Sequence, residues 1–311
     1  MTIKDHGIIS MDHKNLVNSY LKRGNPTTSE QTFMSLYAWR KGRPLKVVEA
    51  DGSLLFLFKH EEYTTIFGPP HGEIKMQDAI NAAKNVTGAN VIAFERIPEQ
   101  NEPLLKIDNT HIDEDRPNAD YVYLKDDLLN LPGNRYHAKK NLVTQCVSSY
   151  DCKYEEISKQ NIIEIRDFFE RWCNDVDCGR SPGLCHEYVA LTDIFENYWK
   201  FDLFGGALRI DGRVEAFTMG ERLNHNTAVV HFEKATKKFR GSYQLINNWF
   251  VKNHLNTFEF INREQDMNIE GLRKAKMSYY PHHMAKKHTI YLDKSNIPPI
   301  KTLDELRCEE E

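Results

Sequence analysis

Long hydrophobic runs are missing from this 311-residue chain. The densest, Leu54–Phe58, covers five residues, against the roughly twenty needed to cross a bilayer. The stretch Met1–Met11 mixes Lys4, Asp5 and His6 with short apolar pairs and lacks the zones of a secretory signal. An excess of one charge is missing too. Lysine and arginine number 41 and the acids 45, a formal net charge of −4 with histidine neutral. That excludes a histone-like polycation while leaving room for a local basic patch. With 16 glycines and 12 prolines the chain is neither collagen-like nor low-complexity. Cysteines are few and irregularly spaced, at 146, 152, 173, 178, 185 and 308. Reduced thiols in a cytoplasmic protein are expected rather than a disulfide framework.

What is present suffices for a large core: 40% hydrophobic and 11% aromatic residues. The length fits one large or two medium domains. Lys46–Ala50, Asp51-Gly52 and Ser53–Phe58 read as a hairpin, because Asp-Gly supplies the positive φ angles of a two-residue turn. The same grammar recurs at Leu208–Ile210, Asp211-Gly212 and Arg213–Phe217. Each hairpin leads to a third strand (Thr64–Phe67, Thr227–Glu233), a loop, an amphipathic helix, and a further strand (Asn90–Phe94, Phe258–Ile261). An antiparallel meander feeding a strand–helix–strand unit, stated twice, predicts two related α/β domains. Helices are also predicted over Ile162–Cys173 and Leu184–Tyr198, and over Asp126–Tyr150 with a break near Pro132-Gly133. Ser295–Glu311 reads as a loosely held tail.

Several chemical patterns fail on their context. Gly179-Arg180-Ser181-Pro182-Gly183 spells a hydrolase elbow, but no strand precedes it and Pro182 lacks the N–H needed for an oxyanion hole. Cys173, Cys178, Cys185 and His186 do not match paired zinc-ligand spacings, so loop cysteines and no metal are expected. His282-His283 reads as a turn pair after Pro281. Walker, dinucleotide and His-Glu-x-x-His motifs are absent.

The strongest chemical feature is Lys234–Ser242, between the strand ending at Glu233 and the helix opening at Ser242. A glycine-containing loop that opens a helix aims free N–H groups and the helix dipole at one point, where a phosphate is the natural occupant. Lys237, Lys238 and Arg240 add full charges, and six N–H groups run from Lys237 to Ser242. The corresponding first-half loop, Gly68-Pro69-Pro70-His71-Gly72, loses two donors to proline. Any phosphate-bearing donor is therefore expected in the second half.

This arrangement, with Leu272–Tyr279 on a following helix, resembles the N-acetyltransferase (GNAT) fold. Asn262-Arg263-Glu264-Gln265-Asp266, Ile269–Lys276 and Pro281 resemble a bacterial family related to the C-terminal domain of phosphatidylglycerol lysyltransferases. Its central motif fits Ala119-Asp120-Tyr121-Val122-Tyr123, Leu128, Gly133, Tyr136-His137, Lys139-Lys140-Asn141 and Tyr150, with Tyr37 and Trp39 upstream. The resemblance covers roughly residues 28–293 and implies an α/β (α+β) fold of two tandem GNAT-like domains, as in the Fem-type peptidyltransferases. Each would be a mixed, mostly antiparallel sheet flanked by helices: a degenerate domain at 1–145 and a donor-binding domain at 146–293, with 294–311 as the tail.

The resemblance implies an acyltransferase that moves an acyl group from acyl-coenzyme A to an amine. Phe232, Lys237, Lys238, Phe239, Arg240, Gly241, Ser242 and Asn262 would bind the coenzyme A moiety. Proton transfer would fall to carboxylates at the strand ends, Glu233, Glu264 and Asp266, with Tyr279 protonating the departing thiolate. Arg135, Lys139 and Lys140 would hold an anionic second substrate or a tRNA acceptor stem. Two alternatives stay open: aminoacyl transfer from a charged tRNA, and a non-catalytic pair that binds a ligand. The full lysyltransferases also carry a transmembrane flippase, a part with no counterpart in these residues, which weighs against a phospholipid acceptor.

Overall fold

The computed structural model describes residues 1–101, 109–180 and 182–293. Ser181 of the rejected elbow, Cys308 and the expected tail lie outside them. The first sheet opens with β1 (Ile3–Ile8), β2 (Lys46–Ala50), β3 (Ser53–Lys59), β4 (Tyr63–Phe67), β5 (Asn90–Pro98) and β6 (His111–Glu114). The second contains β7 (Asp120–Leu124), β8 (Cys152–Glu156), β9 (Leu203–Ile210), β10 (Arg213–Arg222), β11 (Thr227–Ala235), β12 (Phe260–Asn262) and β13 (His283–Ala285), after which β14 (Lys287–Tyr291) returns to the first. The orders are β1-β2-β3-β4-β5-β14-β6 and β13-β7-β12-β11-β10-β9-β8. Among the described residues only β4–β5 and β11–β12 run parallel, one pair per sheet.

Both hairpin turns form as their residues demand: Asp51 and Gly52 adopt φ of 44° and 76°, Asp211 and Gly212 of 49° and 84°. After α1 (Lys14–Gly24) and α2 (Phe33–Ala38), the duplicated strand–helix–strand units also form, through α3 (Met76–Thr87) in the first sheet and α8 (Ser242–Phe250) in the second. α8 ends sooner than its apolar pattern predicts, continuing as a wider turn over Val251–Leu255. The region 125–149 splits into α4 (Lys125–Asn130) and α5 (His137–Ser149) around Pro132-Gly133. Helices α6 (Ile162–Val176) and α7 (Pro182–Asn197) bring Phe168, Phe169 and Phe195 onto Phe217 of β10.

The expected division at residue 145 does not follow the sheets. β7 precedes it yet lies between β12 and β13, while β14 follows it yet lies between β5 and β6. The two halves thus exchange strands, because an open sheet edge accepts a strand from anywhere in the chain and a local pattern carries no record of which. The cysteines depart from the expected reduced thiols. Cys173 and Cys178 are joined, their Cα atoms 5.2 Å apart. The left-handed Asp177 (φ 56°) ends α6 and folds the chain back on itself. Cys146 and Cys152 remain thiols.

Lys287 of β14 pins the exchange. Its fully buried Nζ donates to Glu30 Oε1 and Asp120 Oδ1, each at 2.6 Å. Asp120 of β7 also accepts from Ser29 N and Oγ and from Asn262 Nδ2 at 2.7–2.9 Å. A buried charge is tolerable when its counter-charge is itself fully hydrogen-bonded.

Candidate active site

Strands β11 and β12 pair only at their start, Thr227 with Phe260, Ala228 with Ile261 and Val229 with Asn262. β11 continues to Ala235, so among the described residues the edge from Val230 onward faces no strand. The equivalent pair in the first sheet stays joined from Tyr63–Asn90 to Phe67–Glu95. The fork opens into a cavity of about 760 Å³ that extends into the N-terminal half.

Its polar lining begins on β11. Glu233 accepts from Arg263 Nη2 at 2.9 Å and from Asn247 Nδ2 at 3.0 Å, so donors occupy both of its oxygens. Burial opposes the Arg263 charge, but Glu233 together with Tyr123 and Tyr279 outweighs it and raises the guanidinium pKa. Glu264 adopts φ of 57°, unusual outside glycine, and its N–H bonds Asn262 Oδ1 at 2.8 Å. That bend carries its carboxylate back to β11, where Oε1 meets His231 Nδ1 at 2.7 Å. The other ring nitrogen meets Glu221 Oε1 at 3.1 Å. Burial would lower the His231 pKa, but hydrogen bonds to the two glutamates outweigh it and raise it to about 9. Burial also pushes the Glu264 carboxyl up, partly offset by His231. Its Oε2 has no hydrogen bond among the described residues.

The opposite wall is α9 (Glu270–Met277) together with the turn at its C-terminal end. Burial and the neighbouring Arg263 lower the Lys276 pKa to about 8, and its Nζ donates to the Arg263 carbonyl. The Tyr279 hydroxyl, raised by burial, remains protonated at neutral pH. Lys139 Nζ lies 4.4 Å from that ring, its own pKa lowered by burial and by Arg263.

The structure gathers some of the expected residues and disperses others. Glu233, Glu264, Tyr279, Lys237, Phe239, Arg240, Gly241, Ser242 and Lys139 line the cavity. Asp266 does not: it is fully buried, held by Arg273 (2.9 Å), Tyr121 (2.6 Å) and Arg116 (3.1 Å), which keep it ionised. It is an anchor for the chain after β12. Phe232 sits in the core and Asn262 is spent on Asp120 and Glu264. Lys238 lies outside the lining, as do Arg135, tied to Asp127 at 2.9 Å, and exposed Lys140.

Two of the six loop N–H groups are already used, Lys238 by Thr236 Oγ1 (3.2 Å) and Ser242 by the Phe239 carbonyl (3.2 Å). Among the described residues the other four, at Lys237, Phe239, Arg240 and Gly241, meet no acceptor. In the first-half loop, Gly68 and His71 spend theirs on Glu95 and Leu54, beside the two prolines. Gly241 has a packing reason of its own: at φ 93°, an added Cβ would lie 2.2 Å from the Leu142 carbonyl of α5.

His231, Glu221 and Lys276 are site residues that sequence reasoning passed over. For His231 a signal existed, since strand alternation puts it on the same face as Glu233. Lys276 falls in the motif at Leu272–Tyr279, but its burial depends on Arg263 and β12, which no local pattern places.

These features define a tandem GNAT-like fold with one forked parallel pair. The chain belongs to the phosphatidylglycerol lysyltransferase C-terminal family, whose profile matches residues 22–291. A curated relative of unassigned function from Mycoplasmoides gallisepticum is 21% identical over 179 residues, 55% of this chain and 56% of that protein's length; the chain thus spans little more than half of the relative. Among solved structures, a conserved protein of unknown function from Bacteroides thetaiotaomicron superposes with a TM-score of 0.86 at 28% identity, over 94% of this chain and all of that one. L-PGS from Bacillus licheniformis shares the fold with a TM-score of 0.65 at 14% identity, covering 91% and 92% of the two chains. A tandem GNAT protein from the clavulanic acid biosynthesis pathway does so at 0.51 and 9%, covering 93% and 98%. Among the described residues no helix is long and apolar enough to cross a membrane, and no group of His, Cys, Asp or Glu side chains could hold a metal ion.

Proposed function

We propose that this chain is an acyltransferase that moves an activated acyl group onto an amine at the fork between β11 and β12. The observation that carries the reading is the unpaired edge of β11 beyond Val229, opening beside a basic loop with four free N–H groups. Such an edge can hold an extended donor arm by backbone bonds. Its preorganised N–H groups would stabilise the oxyanion that develops on the acyl carbonyl. The loop, with Lys237 and Arg240 at the cavity, suits the donor's phosphates.

The attacking amine must lose a proton. Glu264 is the fitting acceptor: it lines the cavity, burial raises its basicity, and Oε2 is unoccupied by any described donor. His231 holds the carboxylate in place from behind. Glu233, with both oxygens taken, serves to hold Arg263. Attack forms the C–N bond and the tetrahedral oxyanion; as that intermediate collapses the carbonyl is restored, the bond from carbonyl carbon to the leaving atom breaks, and Tyr279 protonates the leaving group.

Acyl-coenzyme A is the donor we favour, because the fork and the phosphate loop lie together in one half. Aminoacyl-tRNA is the second reading, favoured by family membership. Incubation with acetyl-CoA and with charged bulk tRNA, over a panel of amines, tests both. Free-thiol release or amine-dependent tRNA discharge is expected, abolished in Glu264→Gln. Discharge whose tRNA binding weakens steeply with salt selects the second donor. Consumption of neither donor would overturn transfer and leave a ligand-binding pair.

A further inference from the structure

The cavity has a second arm, in the N-terminal half, whose charges are unfinished. Arg43, on the loop before β2, is 6% exposed and lines the cavity. Its guanidinium stacks 4.6 Å from the Phe67 ring, and among the described residues it makes no ion pair and no hydrogen bond, its Nε being buried and unsatisfied. A buried guanidinium without a partner is costly, and its pKa falls to about 10 through burial and the neighbouring Arg96. Arg96 is in a different position, because Asp115 satisfies it at 2.5 Å.

Glu30 lines the same arm. Its Oε1 is crowded by Lys287 (2.6 Å) and Gln265 (3.2 Å), while its Oε2 is buried and unsatisfied. Arg43 and Glu30 sense each other electrostatically yet form no ion pair, the arginine that reaches Glu30 being Arg96, 4.0 Å from Oε1, so a gap separates the unsatisfied Arg43 Nε from the unsatisfied Glu30 Oε2. What fills that gap is constrained by charge. Glu30, Glu95 and Asp115 already surround Arg43 and Arg96. A simple anion would meet these carboxylates, whereas a ligand carrying one charge of each sign adds no net charge. Trp39, Leu36, Leu45 and Phe67 supply apolar walls beside the gap.

We propose that this arm binds the zwitterionic end of a free amino acid with an apolar side chain, its carboxylate on Arg43 and its ammonium on Glu30 Oε2. The planar fork of arginine matches a carboxylate, and the side chain packs among the apolar walls. Gln265, the residue next to Glu264, donates to Glu30 Oε1, so the arm is continuous with the fork. That the bound amino acid is the acyl acceptor rests on the function proposed above; that it binds does not.

Calorimetric titration of the whole protein, with no donor present, tests the site. The probes are L-leucine, L-phenylalanine and L-methionine, then leucinamide (no carboxylate), 4-methylpentanoate (no ammonium) and inorganic phosphate. At least one amino acid is expected to bind, and the truncated probes and phosphate to bind about 10-fold more weakly or not at all. Arg43→Met should remove binding without lowering the melting temperature, since it deletes an unpaired buried charge. Glu30→Gln, which keeps the shape but loses the negative charge, should weaken the amino acid and not 4-methylpentanoate. Absence of binding by all three amino acids overturns the proposal. So does binding unaffected by Arg43→Met, and so does phosphate or 4-methylpentanoate binding as tightly as leucine. Donor turnover in the same preparation reports separately on transfer, so failure of one reading is distinguishable from failure of the other.

Discussion

Glu264 and Asp266 are two residues apart in sequence and opposite in circumstance. Glu264 keeps an oxygen toward the cavity, while Asp266 is enclosed by Arg116, Tyr121 and Arg273. Glu264→Gln should therefore lower kcat by about 100-fold or more, with a fall in melting temperature limited to the loss of one of the two carboxylates that face His231. Asp266→Asn should instead destabilise by about 1–3 kcal/mol, as buried charge-assisted bonds are lost. Steady-state kinetics beside thermal melts separates the two. His231 makes a pH prediction. Its pKa is raised from 6.5 to about 9 in the fold, so its stabilisation is fully present below about pH 6.5 and is lost as pH rises through about 9. The loss is at most about 3 kcal/mol. Denaturant titrations at pH 6, 7.5 and 9 should show that decline in the wild type, and a shallower one in His231→Gln.

At the scale of elements, most of the second half is legible in its residues. Asp-Gly turns, alternating strands and the apolar stripes of α6 and α7 are local signals, and each forms where its pattern lies. The fork is not local. It exists because β12 is only three residues long and β11 nine, and because Asn262 turns inward to Asp120. The basic loop that opens α8 was legible, but no local pattern shows that Gly241 lies against the Leu142 carbonyl. Gly241→Val should thus lower the melting temperature along with any donor affinity. Lys237→Ala and Arg240→Ala should weaken donor binding with stability preserved, as read by isothermal titration and melts on the same samples.

Across the whole molecule the two halves form one folding unit. β7 and β14 cross between sheets, and the largest core cluster runs from Phe33 and Phe56 to Phe169, Phe217 and Phe232. Lys287→Met strands Glu30 and Asp120 as buried, partly unpaired carboxylates and should cost about 3–5 kcal/mol. A single cooperative transition at lower denaturant would show it, whereas two separated transitions would contradict the unit. Strand exchange was the part of the architecture least legible in sequence, because β7 and β14 are ordinary short strands whose partners are chosen by the edges left open. The same exchange sets Lys287, Asp120 and Asn262 behind the fork, so the site depends on both halves.

Central to the proposed function is a donor lying along the open edge of β11 and the loop after it. Amide hydrogen exchange, with acetyl-CoA and then charged tRNA as probes, measures this most directly. One donor is expected to slow exchange across Val230–Ser242 and to leave Phe67–Gly72 unchanged. Protection of Phe67–Gly72 with none across Val230–Ser242 would contradict it.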